Sequence, residues 1–101
     1  MGFERIMGLN VTDDEAYQKY REEMEPILNS IGAAFGYDFK IAEVLRSKSD
    51  QPINRLFTID FPSREAMEAF FERPDYLEIK QRHLDGAINS KTVIALHETD
   101  G

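Results

Sequence analysis

The apolar residues near the N-terminus alternate along the chain with the period of a β-strand. Between residues 3 and 11, one parity is apolar except for Arg5, and its members are Phe3, Met7, Leu9 and Val11. A period of two places these side chains on one face of a sheet. The pattern therefore predicts a first strand from Phe3 to Val11.

A helix is predicted to follow this strand. In Thr12-Asp13-Asp14-Glu15 we expect a capping box, in which the Thr12 hydroxyl accepts from the Glu15 amide. Gly32 is the predicted left-handed stop, and Pro26 is expected to bend the helix or let it restart. Apolar residues recur at helical spacings of three and four, namely Tyr17, Tyr20, Met24, Ile27, Leu28 and Ile31.

Two strands joined by a hairpin loop are predicted in the middle of the chain. Residues 33–45 alternate and then change phase at Ala42, which predicts a β-bulge there. The polar residues 46–52 form the expected loop, and residues 54–61 the next strand. The alternating residues of these two strands are Phe35, Tyr37, Phe39 and Ile41, then Arg55, Phe57, Ile59 and Phe61.

A second helix is predicted in two segments, followed by a last strand. Ser63 is a suitable N-cap, and the Arg73-Pro74 step is expected to break the helix. The second segment runs through Tyr76, Leu77, Ile79, His83 and Leu84. Residues 91–98 are then predicted to form the last strand.

The predicted order β-α-β-β-α-β identifies an α+β fold. Two βαβ crossovers around a hairpin form the split, ferredoxin-like pattern, a four-stranded antiparallel sheet with both helices on one face. We expect a single domain over residues 1–101. The other face should carry Ile6, Gly8, Leu56, Thr58 and one parity of the last strand. Because so apolar a face is seldom left in water, we expect a homodimer with two sheets face to face.

Charge and composition exclude several classes of function. Lys and Arg number 12 against 19 Asp and Glu, and the resulting charge of −7 argues against binding to nucleic acid or to anionic membranes. Without cysteine there is no disulfide, thiolate nucleophile or cysteine-based metal site. The two histidines lack the spacing of a zinc site, so neither metal nor cofactor is predicted. No signal sequence is evident, which predicts a cytoplasmic protein.

Three segments of the chain are similar to one known family. They are Asp14 to Tyr20 with Gly32-Ala33, then Phe61-Pro62-Ser63-Arg64-Glu65-Ala66, and Arg73-Pro74-Asp75-Tyr76-Leu77 with Arg82 and Ala87 downstream. They resemble the domain-of-unknown-function 1330 family, most specifically over residues 61–82 and least over residues 36–53. The resemblance implies a dimeric α+β barrel. That superfamily includes cofactorless monooxygenases, haem-degrading enzymes, muconolactone isomerases and chlorite dismutases, so no single activity is implied.

Four side chains are predicted to converge at one end of the sheet. We expect the first and third strands to be parallel and adjacent, which would bring Arg5 and Arg55 together near the strand starts. The second helix would then deliver Arg82 and His83 to the same end. If both strand arginines face the helices, the three arginines could bind a carboxylate or phosphate, with His83 as an acid–base catalyst.

Each of these candidates also has a structural interpretation. The cations could cap helix C-termini or extend along apolar surface into water, and His83 could simply be packed. Tyr37 is a further candidate for ligand binding. With Asp38 or Asp60 it could transfer a proton if a carboxylate were desolvated, although it could equally be a core tyrosine. Arg82 matches a position of the family pattern, so the resemblance implies a functional role for it.

The sequence thus predicts a homodimer that binds a small anionic or aromatic metabolite between sheet and helices. Whether it is an enzyme is left open. One alternative is a non-catalytic dimeric structural module. Another is a cofactorless oxygenase or haem-degrading enzyme, because Asn10 and His83 resemble positions of the haem-degrading branch. The tryptophan that those enzymes use is absent from this chain.

Overall fold

The computed structural model describes residues 2–100, which form one sheet and three helices. The strands are β1 (Gly2–Val11), β2 (Ala34–Lys40), β3 (Arg55–Phe61) and β4 (Ile88–Thr99). The helices are α1 (Asp14–Ser30), α2 (Arg64–Glu72) and α3 (Pro74–Ile79), and a π-helical turn (Lys80–Leu84) continues α3.

The sheet has the order β2-β3-β1-β4, and every neighbouring pair of strands is antiparallel. This arrangement confirms the predicted α+β, ferredoxin-like fold. The expectation that the first and third strands are parallel is wrong. The α1 crossover returns β2 in the direction of β1, and the following hairpin reverses β3, so β1 and β3 run in opposite directions.

The core fills the space between the helices and one face of the sheet. Phe3, Met7 and Leu9 of β1 are at most 4% exposed and face the helices. The largest fully buried side chains all come from the helices and are Tyr17, Phe70, Met24 and Leu28. Their burial supplies the main stabilisation of the fold, since isolated helices of this length are marginal in water.

The N-terminus of α1 differs from the predicted capping box. Asp13 is the N-cap, and its carboxylate accepts from the Ala16 amide at 3.1 Å. The Thr12 hydroxyl instead donates to the carbonyl oxygen of Ala87 at 3.2 Å, which ties the start of α1 to the chain just before β4. The predicted N-cap is therefore wrong by one residue, because the Thr12 hydroxyl is hydrogen-bonded to a residue distant in the sequence. Helix α1 continues through Pro26.

Three other local predictions are confirmed. Gly32 follows α1 with a φ of 80°, the left-handed conformation that glycine adopts readily. The Ser63 hydroxyl accepts from the Ala66 amide at 3.1 Å and caps α2. Arg73 is extended, with φ −65° and ψ 132°, and Pro74 occupies the first turn of α3.

The bulge in β2 lies closer to its start than predicted. The register shifts between Phe35 and Asp38 rather than at Ala42, and the strand ends at Lys40. The shift reverses the faces of the residues that follow it, so that Tyr37 and Asp38 exchange sides. A Cβ at Gly36 would lie 2.5 Å from the Thr58 hydroxyl oxygen, so only glycine fits this close approach.

The chain beyond β2 leaves the sheet earlier than predicted. The Ile41 amide donates to the Asn54 carbonyl at 2.8 Å and closes a loop between the two strands. The loop covers part of the sheet face remote from the helices, where Ile53 lies against Gly8. The predicted strand up to residue 45 is therefore wrong in its last five residues. At the other edge of the sheet, β4 starts at Ile88, three residues before the predicted start.

Candidate functional site

A cavity of about 220 Å³ lies between the helices and the helix-facing side of the sheet. Its wall is mainly apolar and includes Met7, Phe57 and Ile59 from the sheet. Five polar side chains also line it, namely Arg5, Tyr20, Tyr76, Lys80 and Lys91. An apolar cavity with a few convergent polar groups is the usual form of a small-molecule site.

Arg5 is the central cation of this cavity. It lies on β1 opposite Ile59 of β3 and Leu96 of β4, and its guanidinium carbon is 4.5 Å from the centroid of the Phe71 ring. Among residues 2–100 no carboxylate forms an ion pair with it, and no group accepts a hydrogen bond from its side chain. Burial lowers the pKa of Arg5, although the guanidinium stays charged.

Two lysines add to the positive charge around Arg5. Lys91 of β4 pairs with Leu9 of β1 on the helix-facing side, and Lys80 comes from the π-helical turn. Lys80 forms a 2.9 Å ion pair with Asp85, whereas Lys91 has no carboxylate partner in the described chain. Lys91 is largely exposed, and partial desolvation, with smaller contributions from Lys80 and Arg5, lowers its pKa. The cavity is thus locally cationic in an acidic protein.

Two tyrosine hydroxyls meet at the helix side of the cavity. Tyr20 of α1 and Tyr76 of α3 form a buried hydrogen bond of 2.8 Å. Burial raises the pKa of both hydroxyls, so both are neutral at physiological pH. Tyr76 lies near Arg5, because its ring centroid is 5.3 Å from that of Phe71, the ring over which the Arg5 guanidinium stands. The mutual bond of the two tyrosines uses one hydroxyl proton and leaves the other available.

Arg55 does not lie in the cavity. Its Nε and Nη2 donate to the two carboxylate oxygens of Asp38, each at 2.8 Å. This hydrogen bonding from Arg55 holds the pKa of Asp38 below its ordinary value and raises the pKa of Arg55. The predicted convergence of Arg5 and Arg55 is therefore wrong, because antiparallel strands place their starts at opposite ends of the sheet.

A buried arginine that sequence reasoning missed completes this ion-pair cluster. Arg21 is 9% exposed, its Nη1 lies 3.3 Å from Asp38, and its Nε donates to the Tyr17 hydroxyl at 2.8 Å. Its guanidinium carbon lies 3.9 Å from the Phe35 ring centroid. The available signal was the spacing of four from Tyr17, which places Arg21 on the same face of α1. This cluster joins α1 to β2 and β3.

The remaining predicted site residues also lie outside the cavity. Arg82 is half exposed and pairs with Glu23 and Glu78, while His83 contacts the Glu23 carboxylate. These contacts join the π-helical turn to α1. Tyr37 lies on the opposite side of the sheet, where it is 65% exposed and stacks on Phe39. Of the predicted site residues, the structure brings only Arg5 into the cavity.

The other polar residues of the cavity were not predicted as site residues from the sequence. Tyr20 and Tyr76 were expected only as members of apolar helix faces, and Lys80 and Lys91 were not singled out. The register of β1 against β4 brings Lys91 to the cavity, and the path of the chain after Pro74 brings Tyr76 there. Neither the register between β1 and β4 nor the path of the chain after Pro74 can be predicted from the periodicity of the sequence.

Residues 2–100 contain neither a cluster of metal-ligating side chains nor a membrane-spanning helix. No three histidine, aspartate or glutamate side chains are grouped closely enough there to hold a metal ion. No helix of this part of the chain combines the length and hydropathy needed to cross a bilayer.

Solved structures share this fold at low sequence identity. A Rhodopseudomonas palustris protein of unknown function aligns with a TM-score of 0.81 and 16% identity, over 99% of this chain and 83% of that one. A dimeric, ferredoxin-like Bacteroides fragilis protein of unknown function has a TM-score of 0.64 and 13% identity, over 97% and 96% of the two chains. A proposed antibiotic biosynthesis monooxygenase from Nitrosomonas europaea has a TM-score of 0.65 and 14% identity, over 97% and 89%.

These similarities show the fold alone, because all of the identities are below one fifth. No curated protein is significantly similar in sequence to this chain. A family model, by contrast, matches residues 5–96, which include every predicted segment of resemblance. The chain therefore belongs to the family described as domain of unknown function DUF1330.

Proposed function

We propose that this protein binds a small organic anion in the cavity between sheet and helices. The observation that carries the proposal is the state of Arg5, which lines an apolar cavity over Phe71 without a carboxylate partner in the described chain. Burying a charge is costly unless a counter-charge or hydrogen bonds compensate it. A bound anion would supply that compensation.

The surroundings of Arg5 support an anion with an apolar body. Arg5 and Lys91 supply positive charge without a carboxylate partner among residues 2–100, whereas most of the wall is aliphatic or aromatic. A guanidinium binds a carboxylate through two parallel hydrogen bonds, which also orients the ligand. The cavity is smaller than most sites for drug-sized molecules, so the ligand is a small metabolite.

We also propose that the protein acts as a homodimer joined through the sheet face remote from the helices. Apolar side chains are exposed on that face, with Tyr37 at 65%, Phe39 at 52% and Ile94 at 46%. An exposed apolar patch of this kind commonly marks an interface. The Bacteroides fragilis structure with the same fold is described as dimeric, which supports the proposal.

A second candidate function is oxygenation of the bound molecule without a cofactor. It is favoured by the fold shared with the proposed monooxygenase from Nitrosomonas europaea and by the neutral tyrosine pair in the cavity. Oxygen consumption with a bound ligand would support it. Haem breakdown is a weaker form of the same idea, because His83 lies outside the cavity, and it fails if added haem gives no Soret shift.

The direct test is a thermal-shift titration with benzoate, phenyl phosphate and neutral benzamide. A ligand that binds only the native state must raise Tm. We expect at least one of the two anions to raise Tm and benzamide to have little effect, and Arg5→Met to remove the difference. If neither anion stabilises the wild type, the non-catalytic module becomes the better interpretation. The cytoplasmic location stays a prediction from the sequence.

A further inference from the structure

We propose that the ligand of this cavity is an oxo carboxylic acid, with its carboxylate on Arg5 and its oxo oxygen on the Tyr20–Tyr76 hydroxyl pair. This inference rests on the proposed function and specifies the class of anion. It also assigns the tyrosine pair a role in ligand selection, in addition to its contribution to packing.

The two cations of the cavity without a side-chain partner among residues 2–100, Arg5 and Lys91, offer only hydrogen-bond donors. Arg5 and Lys91 have N–H groups and no acceptors, and neither has a side-chain hydrogen-bond partner among the described residues. Asp85 lies nearby, but its Oδ1 is already 2.9 Å from the Lys80 ammonium. A complementary ligand must therefore supply acceptors at more than one position.

The tyrosine pair provides a donor of a different kind. One hydroxyl donates to the other across 2.8 Å, and the second proton has no acceptor among residues 2–100. Since burial keeps both hydroxyls neutral, this proton remains available at physiological pH. An oxo oxygen accepts such a bond. An ammonium group at the same place has no acceptor for the proton, and Arg5 and Lys91 would repel it.

The two kinds of donor come from opposite walls of the cavity. Arg5 projects from β1 in the sheet, whereas Tyr20 and Tyr76 project from α1 and α3. The two walls lie close together, because the Arg5 guanidinium carbon is 4.5 Å from the centroid of the Phe71 ring, and that centroid is 5.3 Å from the centroid of the Tyr76 ring. One small molecule can therefore contact both walls if its carboxylate and its second oxygen are only a few bonds apart. A 2-oxo acid has this arrangement.

Three matched acids test the inference, namely benzoylformate, phenylacetate and phenylglycine. They share a phenyl ring and a carboxylate and carry an oxo group, two hydrogens or an ammonium group on the intervening carbon. We expect calorimetric titration at pH 7 to give benzoylformate about tenfold tighter binding than phenylacetate. Phenylglycine should bind more weakly than either.

The matched variant is Tyr20→Phe combined with Tyr76→Phe. Removing both hydroxyls leaves no stranded partner, so the fold should be retained, as circular dichroism and Tm will check. In this variant benzoylformate should lose its advantage and bind as phenylacetate does, while the affinity for phenylacetate stays unchanged. Arg5→Met should weaken the binding of both acids.

The outcomes separate this inference from the proposed function. Equal affinity of the wild type for benzoylformate and phenylacetate would overturn the oxo-acid inference and leave anion binding standing. Binding of neither acid would remove both. Persistence of the oxo preference in the double variant would also overturn the role of the tyrosine pair. If the double variant does not fold, the comparison on the wild type still decides.

Discussion

Arg5 and Arg55 lie on the same face of the sheet, four pairs apart along the β1–β3 ladder, where Arg5 pairs with Ile59 and Arg55 with Leu9. Arg5 lies in an apolar cavity without a carboxylate partner in the described chain, whereas Arg55 contacts both oxygens of Asp38. The two arginines therefore form a matched pair. One has the surroundings of a ligand-binding residue, and the other those of a structural residue.

The first prediction compares methionine substitutions at these two positions. Arg5→Met should abolish the rise in Tm on adding benzoate and leave the free energy of unfolding unchanged or higher, because the lost charge has no carboxylate partner among residues 2–100. Arg55→Met should lower the free energy of unfolding by about 1–3 kcal/mol and keep the response to benzoate. Urea denaturation and thermal shift measure the two effects. If Arg5→Met lowered the free energy of unfolding and Arg55→Met removed the response to benzoate, the assignment of Arg5 to the ligand site would be wrong.

The second prediction concerns the acid stability of the Asp38 cluster. Because hydrogen bonding from Arg55 depresses the folded-state pKa of Asp38, its contribution is present above the unfolded pKa and is lost as pH falls through the folded pKa. Asp38 is 34% exposed, so Asp38→Asn should cost only about 1–2 kcal/mol at pH 7. Urea denaturation from pH 7 down to pH 2 should show wild type and variant converging. A constant difference would show that the carboxylate charge is not the cause.

The third prediction concerns the pH dependence of anion binding through Lys91. Partial desolvation lowers its pKa in the free protein, and a bound anion would raise it again. Affinity for benzoate should therefore be constant below the free-protein pKa and fall as pH rises from that value to the pKa of the complex. If the pKa of Lys91 differs by one unit between the free protein and the complex, the affinity for benzoate should fall tenfold over this range.

Lys91→Met is the control for this effect, since it should flatten the affinity profile below the ordinary lysine pKa of 10.5. Arg5 keeps its charge over this range, and Lys80, paired with Asp85, is present in both proteins. Isothermal titration at a series of pH values measures both profiles. An unchanged profile in the variant would exclude Lys91 as the responsible group.

The fourth prediction concerns the proposed homodimer. Phe39→Lys places a charge on the exposed apolar face remote from the helices, and should reduce the mass in light scattering to that of one chain, 11.7 kDa. Leu77→Lys is the control, because Leu77 is similarly exposed, at 45%, but lies on α3. The control should remain a dimer. A wild type that already has the mass of one chain at micromolar concentration would refute the interface.

Much of the secondary structure follows from local sequence. The period of two in β1, the hydroxyl of Ser63, Gly32 and the Arg73-Pro74 step act over a few residues, and each specifies its element as predicted. These signals are strong because backbone conformation and capping depend on near neighbours. They are weaker where a distant group competes, as at Thr12, whose hydroxyl donates to Ala87 instead.

Alternation was a poor guide where the chain inserts a residue. Phe35, Tyr37 and Phe39 alternate perfectly in the sequence, yet the bulge after Phe35 sends Tyr37 and Phe39 to the remote face and brings Asp38 to the helix side. The Thr58 hydroxyl accepts from the Tyr37 amide at 2.8 Å and helps to hold this shift. A contact 21 residues away in the sequence thus supports an orientation that the local pattern assigned incorrectly.

The sequence by itself determined the order of the elements, the ferredoxin-like class and the parity that Arg5 shares with Met7 and Leu9, whereas the tertiary structure decided that this parity faces the helices. Only the tertiary structure decided that Arg55 meets Asp38, that Lys91 and the tyrosine pair surround Arg5, and that Arg82 and His83 lie outside the cavity. The physical reason is the range of the interactions. Periodicity and capping act within one element, whereas charge partners and cavity walls depend on strand direction and register between elements distant in sequence.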